Sequence, residues 1–181
     1  CEKEERTFSA ADRIVAEVKN RTQAAGKIIL FGHSAGGQFV HRWALLGGKK
    51  NVDVIAVANS GWFTMPDRDI DYPYGIKNVG ITDEELGEAF AEPVILFMGE
   101  KDVERKPPFR DTPEADAQGM NRMERCTNYF RQCKAKAEEL KVPFRWKLET
   151  VEGAAHQGVK MAEGAAAYIF GKSSEDGNRR V

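Results

Sequence analysis

Four short segments of the chain combine apolar and β-branched residues, a composition that is typical of strands. The first begins at Lys27 and ends at Phe31, and the others span residues 52–58, 93–98 and 144–151. The third is apolar almost throughout, as expected for a parallel strand covered by helices on both faces. The fourth alternates apolar and charged side chains, which predicts a half-exposed strand at the edge of a sheet.

Segments with helical periodicity separate these strands. An apolar stripe that ends at Gly26 predicts a first helix, and a second is predicted from about Ala35 to Leu46. Later helices are predicted over residues 83–90 with Thr82 as the N-cap, over 112–140 with a bend near Gly119, and over 159–170. One helix followed by four β–α units predicts an α/β fold, with an open and mostly parallel sheet and helices on both faces.

The composition fits a single globular domain. The chain has 181 residues, of which 41% are hydrophobic, enough for one domain with a buried core. We assign residues 1–171 to that domain and expect the polar tail 172–181 to be disordered. The 27 basic and 28 acidic residues nearly cancel, and no apolar run approaches the ~20 residues of a membrane span. Neither a nucleic-acid groove nor a membrane span is therefore expected.

A short motif, Gly-x-Ser-x-Gly, follows the first strand and precedes the second helix. This context predicts a sharp strand-to-helix turn that presents the hydroxyl of Ser34 at the bend. We expect that a β-carbon at Gly32 or Gly36 would collide with the neighbouring strand or helix. A serine hydroxyl is a poor nucleophile near pH 7 unless a base lies beside it, so Ser34 needs partners from elsewhere in the chain.

Two later strands are followed by suitable partners. Asp102 comes after the third strand and His156 after the fourth, and the carboxyl ends of parallel strands meet at one edge of a sheet. The order Ser, Asp, His is the one that accompanies this kind of turn. We therefore predict that His156 takes the proton of Ser34 and that Asp102 orients His156. The backbone N–H of Ala35 is predicted to donate to the oxyanion.

The chain has other aspartates and histidines that must be distinguished from Asp102 and His156. The second strand is followed by three further candidates for the acid, Asp67, Asp69 and Asp71. His33 precedes the nucleophile and is expected to point away from it, while His41 is expected to pack on the second helix. Neither histidine is paired with Cys or a carboxylate at metal-ligand spacing, so a metal site is not expected.

With this motif and this order of residues, the chain resembles an α/β-hydrolase over nearly its whole length. Three further stretches, at residues 58–66, 72–75 and 112–119, are similar to bacterial esterases of the polyhydroxybutyrate-depolymerase-like kind. The resemblance implies hydrolysis of a carboxylic ester, without a cofactor, through an acyl-enzyme intermediate.

The resemblance also implies a longer protein. A complete α/β-hydrolase has an eight-stranded sheet, and the predicted strands correspond to its last four. We therefore expect this chain to be the C-terminal part of an enzyme of roughly 250–300 residues. The missing strands would pair beside the segment from Lys27 to Phe31, and the loop that supplies the second oxyanion donor would lie among them. Export is possible, and any signal for it would lie in the same missing part.

Three functions are compatible with these observations. A serine ester hydrolase acting on a small-molecule or polymeric ester is favoured. A peptidase or acyltransferase with the same triad is the second, and an inactive hydrolase-fold binding protein is the third. The candidates for the wall of the substrate pocket are His33, Trp62, Phe63, Tyr72 and Tyr74, four of which lie in the aromatic loop at residues 59–78.

Overall fold

The structure, a computed structural model, describes residues 7–22, 26–46 and 50–171. Its helices are α1 (Thr7–Thr22), α2 (Ala35–Leu46), α3 (Asp83–Ala91), α4 (Pro113–Asp116), α5 (Arg122–Leu140) and α6 (Gly158–Gly171). Its strands are β1 (Ile29–His33), β2 (Val54–Ala58), β3 (Val94–Gly99) and β4 (Lys147–Val151). The expected disordered tail, 172–181, lies outside the described residues.

The four strands form one parallel sheet in the order β1-β2-β3-β4. At least one helix lies between each strand and the next, as the crossover connections of a parallel sheet require. The predicted α/β fold with an open parallel sheet is confirmed. Because all strands run the same way, the residues that follow β1, β3 and β4 come together at one edge of the sheet.

Helices cover both faces of this sheet. On one face, α2 and α5 pack over the strands with α3 against both helices, and Val57 and Leu96 point into that larger core. On the other face, α6 covers Ala56 and Phe97 in a smaller core. Successive side chains of β2 and β3 thus enter different cores, which explains why both strands are apolar throughout.

The outer strands, β1 and β4, are more exposed than the inner two. β4 is half-exposed along its length, as the alternation of apolar and charged residues predicted. In β1, four of the five residues are only partly buried, and among the described residues this strand pairs with β2 alone. The pairing of further strands beside β1 stays a prediction.

Capping residues and a glycine define where α3 begins and where α4 and α5 separate. Thr82 caps α3 in a complete capping box with Glu85, as predicted for the cap residue. The predicted bend near Gly119 is instead a full break between α4 and α5. Gly119 has a φ of +147°, a conformation that strongly favours glycine, and Asn121 then caps α5 by accepting the N–H of Glu124 at 2.9 Å.

Buried polar contacts hold the aromatic loop at residues 59–78 against α2 and against the segment between α4 and α5. The Nε2 of His41 accepts the backbone N–H of Thr64 at 3.0 Å, while its Nδ1 lies 3.1 Å from the carbonyl oxygen of Gly37. Gln118 forms a second clamp, because its side chain bonds both the N–H and the carbonyl of Phe63. His41 is fully buried, and burial lowers its pKa to about 3. The neutral ring is therefore part of the fold, as its predicted packing role implied.

This depressed pKa predicts a specific loss of stability in acid. Between pH 6.5 and about 3 the unfolded state binds a proton at His41 that the folded state does not, so stability falls as the pH falls. From pH 7 to pH 5 the contribution lost is roughly 2 kcal/mol. We expect His41→Gln to lower the stability at pH 7 but to reduce this pH dependence, as measured by urea unfolding at the two values. An equal pH dependence in both proteins would contradict the assignment.

Candidate active site

Ser34 lies at the junction of β1 and α2 in a left-handed backbone conformation, with a φ of 57°. For a residue other than glycine this conformation costs on the order of 1–3 kcal/mol and persists only where surrounding contacts impose it. Here the Ser34 N–H donates to the carbonyl of Ala58 at 3.0 Å, and the Ser34 carbonyl accepts the N–H of Gln38 at 2.9 Å. These bonds fix the predicted sharp turn between the end of the strand and the first turn of the helix.

The glycines around Ser34 differ in how much room they have. A β-carbon on Gly32 would collide with the carbonyl of Gly36 and lie 2.7 Å from Val40 Cγ2, as predicted. The same prediction is wrong for Gly36, where a β-carbon would have no described atom within 4 Å because the residue faces outward from α2. Gly37 takes that role instead, since a β-carbon there would lie 2.6 Å from Ser60 Oγ. Because Gly32 and Gly37 have no side chains, α2 can pack closely against β1 and the end of β2.

Ser34, His156 and Asp102 form one chain of hydrogen bonds. The Nε2 of His156 lies 2.9 Å from Ser34 Oγ, and its Nδ1 lies 2.7 Å from Oδ2 of Asp102. These distances suit a neutral imidazole that donates through Nδ1 to the carboxylate and accepts the serine proton at Nε2. The three residues follow β1, β3 and β4, so the carboxyl edge of the sheet brings the predicted set together.

The loop that carries His156 is held in place by Asn59, the residue directly after β2. The Asn59 side chain accepts the N–H of Gly99 at 2.7 Å and donates to the carbonyl of Ala155 at 2.9 Å. A β-carbon on Gly99 would lie 2.7 Å from the carbonyl oxygen of Ala154, so glycine permits this close approach. Asn59 thus ties the end of β3 to the residue before His156.

Asp102 is 3% exposed and has two charged or polar partners. Its Oδ2 faces His156, and its Oδ1 lies 3.1 Å from Nη1 of Arg122, which is also buried. The alternative acids lie elsewhere on the aromatic loop. Asp67 accepts the N–H of Asp69, and Asp71 forms an exposed ion pair with Lys77 at 3.5 Å. Asp102 is the carboxylate that contacts the histidine.

His33 packs against His156 with ring centroids 4.7 Å apart. Burial and the neighbouring His156 lower the pKa of His33, so the ring is expected to stay neutral. The side chain lies beside the imidazole of His156 and does not line the cleft described next.

An open cleft of about 440 Å³ lies beside Ser34, a size suited to a small ligand or to one segment of a chain. Its lining consists of Ser34, Gln38, Gly61, Trp62, residues 108–112 and Arg122. The nucleophile candidate therefore opens onto a space that a substrate can enter. Half of the ten lining residues belong to the loop that follows Asp102.

The predicted pocket residues have different fates. Trp62 lines the cleft, and Tyr74 supports it from behind, with ring centroids 4.8 Å apart. Phe63 is fully buried and stacks on Tyr129 at 4.5 Å, so it belongs to the core. Tyr72 is 47% exposed and lies outside the cleft lining. Aromatic residues that looked equivalent in the sequence thus differ in whether they face the cleft, the core or the solvent.

Two arginines extend the aromatic pair formed by Trp62 and Tyr74. The guanidinium of Arg42 lies 5.1 Å from the Trp62 ring centre, and that of Arg110 lies 5.7 Å from the Tyr74 ring centre. Arg110 also donates through Nε to the Tyr74 hydroxyl at 2.6 Å. The wall of the cleft is thus a stacked and hydrogen-bonded unit.

Two parts of this site were not predicted from the sequence. Residues 108–112 carried a positional signal, since they follow Asp102 beyond the carboxyl end of β3, where sites in parallel sheets gather. Arg122 carried none, because a charged residue in the first turn of a helix is most often exposed. Its burial depends on the carboxylate of Asp102, which is remote in the sequence.

Two features are absent from residues 7–22, 26–46 and 50–171. In the part of the chain that the structure describes, no group of three His, Cys, Asp or Glu side chains could hold a metal ion. Among the same residues, no helix is both long and apolar enough to cross a membrane.

Solved structures similar to this chain include two polymer hydrolases. A poly(aspartic acid) hydrolase-1 from Sphingomonas sp. KT-1 is 31% identical, with a TM-score of 0.84 over 91% of this chain and 63% of that one. A poly(3-hydroxybutyrate) depolymerase from Bordetella parapertussis is 30% identical, with a TM-score of 0.86 over 94% of this chain and 59% of that one. No protein-family model and no curated protein sequence matches the chain.

The parallel sheet, the turn at Ser34 and these similarities show that the chain has the α/β-hydrolase fold. Within it, the chain is similar to the polyhydroxybutyrate-depolymerase-like kind, which confirms the resemblance predicted from its motifs. The chain spans about three fifths of the length of the two structures it matches.

The contrast between Gly32 and Gly36 can be tested directly. We expect Gly32→Ala to destabilise the protein by about 2–3 kcal/mol, because the added methyl group meets the backbone of Gly36 and the side chain of Val40. Gly36→Ala is the matched control. It has open space in a helix and is expected to be neutral or to stabilise by up to about 1 kcal/mol. Urea unfolding of the three proteins measures both effects, and similar losses in both variants would contradict the assigned packing.

Proposed function

We propose that this chain carries the catalytic centre of a serine hydrolase that cleaves carboxylic esters through an acyl-enzyme intermediate. The observation that supports this most directly is the 2.9 Å contact between Ser34 Oγ and His156 Nε2, made at a strand-to-helix turn that opens onto a cleft. A serine that served only the turn would have no need of a histidine that is itself bonded to a buried carboxylate.

In the proposed reaction, Ser34 Oγ attacks the ester carbonyl carbon while His156 Nε2 takes its proton. The carboxylate of Asp102 keeps the proton on Nδ1 and stabilises the imidazolium that forms. The imidazolium then returns a proton to the leaving alcohol as the acyl-enzyme is made. In the second half, His156 takes a proton from a water molecule that attacks the acyl carbon. The bond between that carbon and Ser34 Oγ then breaks, the imidazolium returns the proton to Ser34, and the acid is released.

The oxyanion of the tetrahedral intermediate needs donors beside Ser34. Ala35 is the first residue of α2, and N–H groups in the first turn of a helix have no partner inside the helix. The positive end of the helix dipole adds to the stabilisation of negative charge there. We propose the Ala35 N–H as one donor, and we expect the second from strands that pair beside β1.

The proposed substrate class follows from the two similar structures and from the cleft. One relative is a poly(3-hydroxybutyrate) depolymerase, so a polymeric or oligomeric ester is the first candidate. The other is a poly(aspartic acid) hydrolase, which makes amide hydrolysis the second candidate. Because the cleft is open, a segment of a chain could pass Ser34 without being enclosed. Both substrate classes are proposed for the whole protein.

The role of Ser34 can be tested with a fluorophosphonate probe, which reacts with activated serine nucleophiles. We expect the wild-type protein to be labelled and Ser34→Ala to be unlabelled. His156→Ala is expected to slow labelling at least ~10³-fold, because the general base is lost. Persistent labelling of Ser34→Ala would reject Ser34 as the nucleophile. In a separate experiment, a panel of ester, amide and acyl-acceptor substrates distinguishes esterase, peptidase and acyltransferase activities.

The role of Trp62 in the cleft wall can be tested against that of Tyr72. We expect Trp62→Ala to raise KM for esters with large acyl or alcohol groups about 10-fold, because an apolar contact surface is lost. Tyr72→Ala is the matched control, since Tyr72 lies in the same loop but outside the cleft. Steady-state kinetics with short and long esters measure the effect. An equal rise in both variants would show that the loop, not the Trp62 ring, sets KM.

A further inference from the structure

We propose that Arg122 is a positioning residue that holds the carboxylate of Asp102 in the orientation it needs to bind His156. This inference rests on the proposed hydrolase function and adds a fourth side chain to it. Nη1 of Arg122 lies 3.1 Å from Oδ1 of Asp102, while Oδ2 of the same carboxylate lies 2.7 Å from His156 Nδ1. Each carboxylate oxygen thus has one charged or polar side-chain partner.

Burial makes this pair matter. The side chains of Asp102 and Arg122 are only 3% and 5% exposed, so water solvates neither charge freely. A buried carboxylate without a counter-ion either takes up a proton or turns toward another donor. Either change weakens its bond to His156 Nδ1, and the tautomer and orientation of the imidazole depend on that bond. Arg122 therefore favours the orientation of the Asp102 carboxylate that binds His156.

Arg122 is itself held by the wall of the cleft. Its Nη2 donates to the carbonyl of Pro108 at 2.7 Å, and its guanidinium lies 5.0 Å from the ring centre of Phe109. Both residues line the cleft beside Ser34. One planar side chain thus spans the gap between the acid of the triad and the substrate-facing loop. The planar guanidinium can donate hydrogen bonds to two acceptors at once. A lysine ammonium can also donate to two acceptors, but its hydrogen bonds point in different directions.

Two neighbouring arginines share the contact with Phe109, and one of them, Arg105, provides a matched control. Arg105 and Arg125 also lie over the Phe109 ring, at 4.8 and 4.3 Å, but both pair with Asp116 and not with Asp102. Arg125 is fully buried, and its bonds to Gly61 and Gly119 also hold the backbone. Arg105 is partly exposed, so its removal is less disruptive to the fold. A loss of activity caused only by disturbing Phe109 would therefore occur in Arg105→Gln as well.

The decisive experiment is a double-mutant cycle between Arg122 and Asp102. We expect Arg122→Met to slow fluorophosphonate labelling and lower kcat by ~10–100-fold, with KM changed less. In the Asp102→Asn background the same substitution should cause less than about a 3-fold further loss, because the charge on which Arg122 acts is already gone. Arg122→Lys should recover much of the loss, and Arg105→Gln should stay within about 2-fold of the wild type. A full multiplicative loss in the Asp102→Asn background, or an equal loss in Arg105→Gln, would overturn the inference.

A second measurement does not depend on turnover. The proton between His156 Nδ1 and Asp102 should give a far-downfield proton NMR signal in the folded wild type, in Arg105→Gln and, shifted, in Arg122→Lys. In Arg122→Met that signal should be lost or broadened, and an unchanged signal would overturn the inference. If Arg122→Met does not fold, Arg122→Gln takes its place, and a signal and labelling rate equal to the wild type in that variant would overturn the inference instead. A wild-type protein that shows the signal but reacts with no probe or substrate would reject the proposed hydrolase function and leave the role of Arg122 standing.

Discussion

The backbone of Ser34 is held in a left-handed conformation because the chain must turn from β1 into α2 within a single residue. That turn requires α2 to approach the sheet closely, and Gly32 and Gly37 provide the space. The hydroxyl then stands at the carboxyl edge of the sheet, beside the first N–H groups of the helix. Every other part of the site is positioned relative to this point, so the cost of the strained residue is offset by the packing of two whole elements.

The carboxyl edge works as a meeting place because neighbouring strands are tied there by side chains as well as by the sheet. Asn59, after β2, bonds the backbone at Gly99 and Ala155 and so couples the ends of β3 and β4. Asp102 and His156 lie just beyond these points. The 2.7 Å contact between Asp102 and His156 thus depends on Asn59, although the hydrogen bonds of the Asn59 side chain go to Gly99 and Ala155. Rigid placement of this kind is what a reaction with a narrow range of productive geometry requires.

Much of this arrangement could be predicted from local patterns. The apolar segments located all four strands, and the spacing of Ser34, Asp102 and His156 after three of them was sufficient to bring these residues to one edge. The strand starts were less predictable. Residues 144–146 look like part of β4, yet Arg145 donates its N–H to Phe90 and Trp146 donates its indole N–H to Ala89, so both contact α3 instead of β3. Pairing choices of this kind depend on tertiary neighbours that no local pattern contains.

The burial of individual side chains was the property least well predicted from the sequence. Burial also sets the strength of the electrostatic interactions in the site. Phe63 and Trp62 are adjacent aromatic residues, but one fills the core and the other faces the cleft. Arg122 is charged and begins a helix, but it is buried because Asp102 is buried beside it. The result is a gradient of exposure, from Asp102 at 3% to His156 at 24% for their side chains, with Ser34 opening onto the cleft. Electrostatic interactions are stronger at the buried end of this gradient, so the acid acts on the imidazole without competition from water. The same burial makes an ionised acid costly on its own, which is why its second oxygen needs a cation.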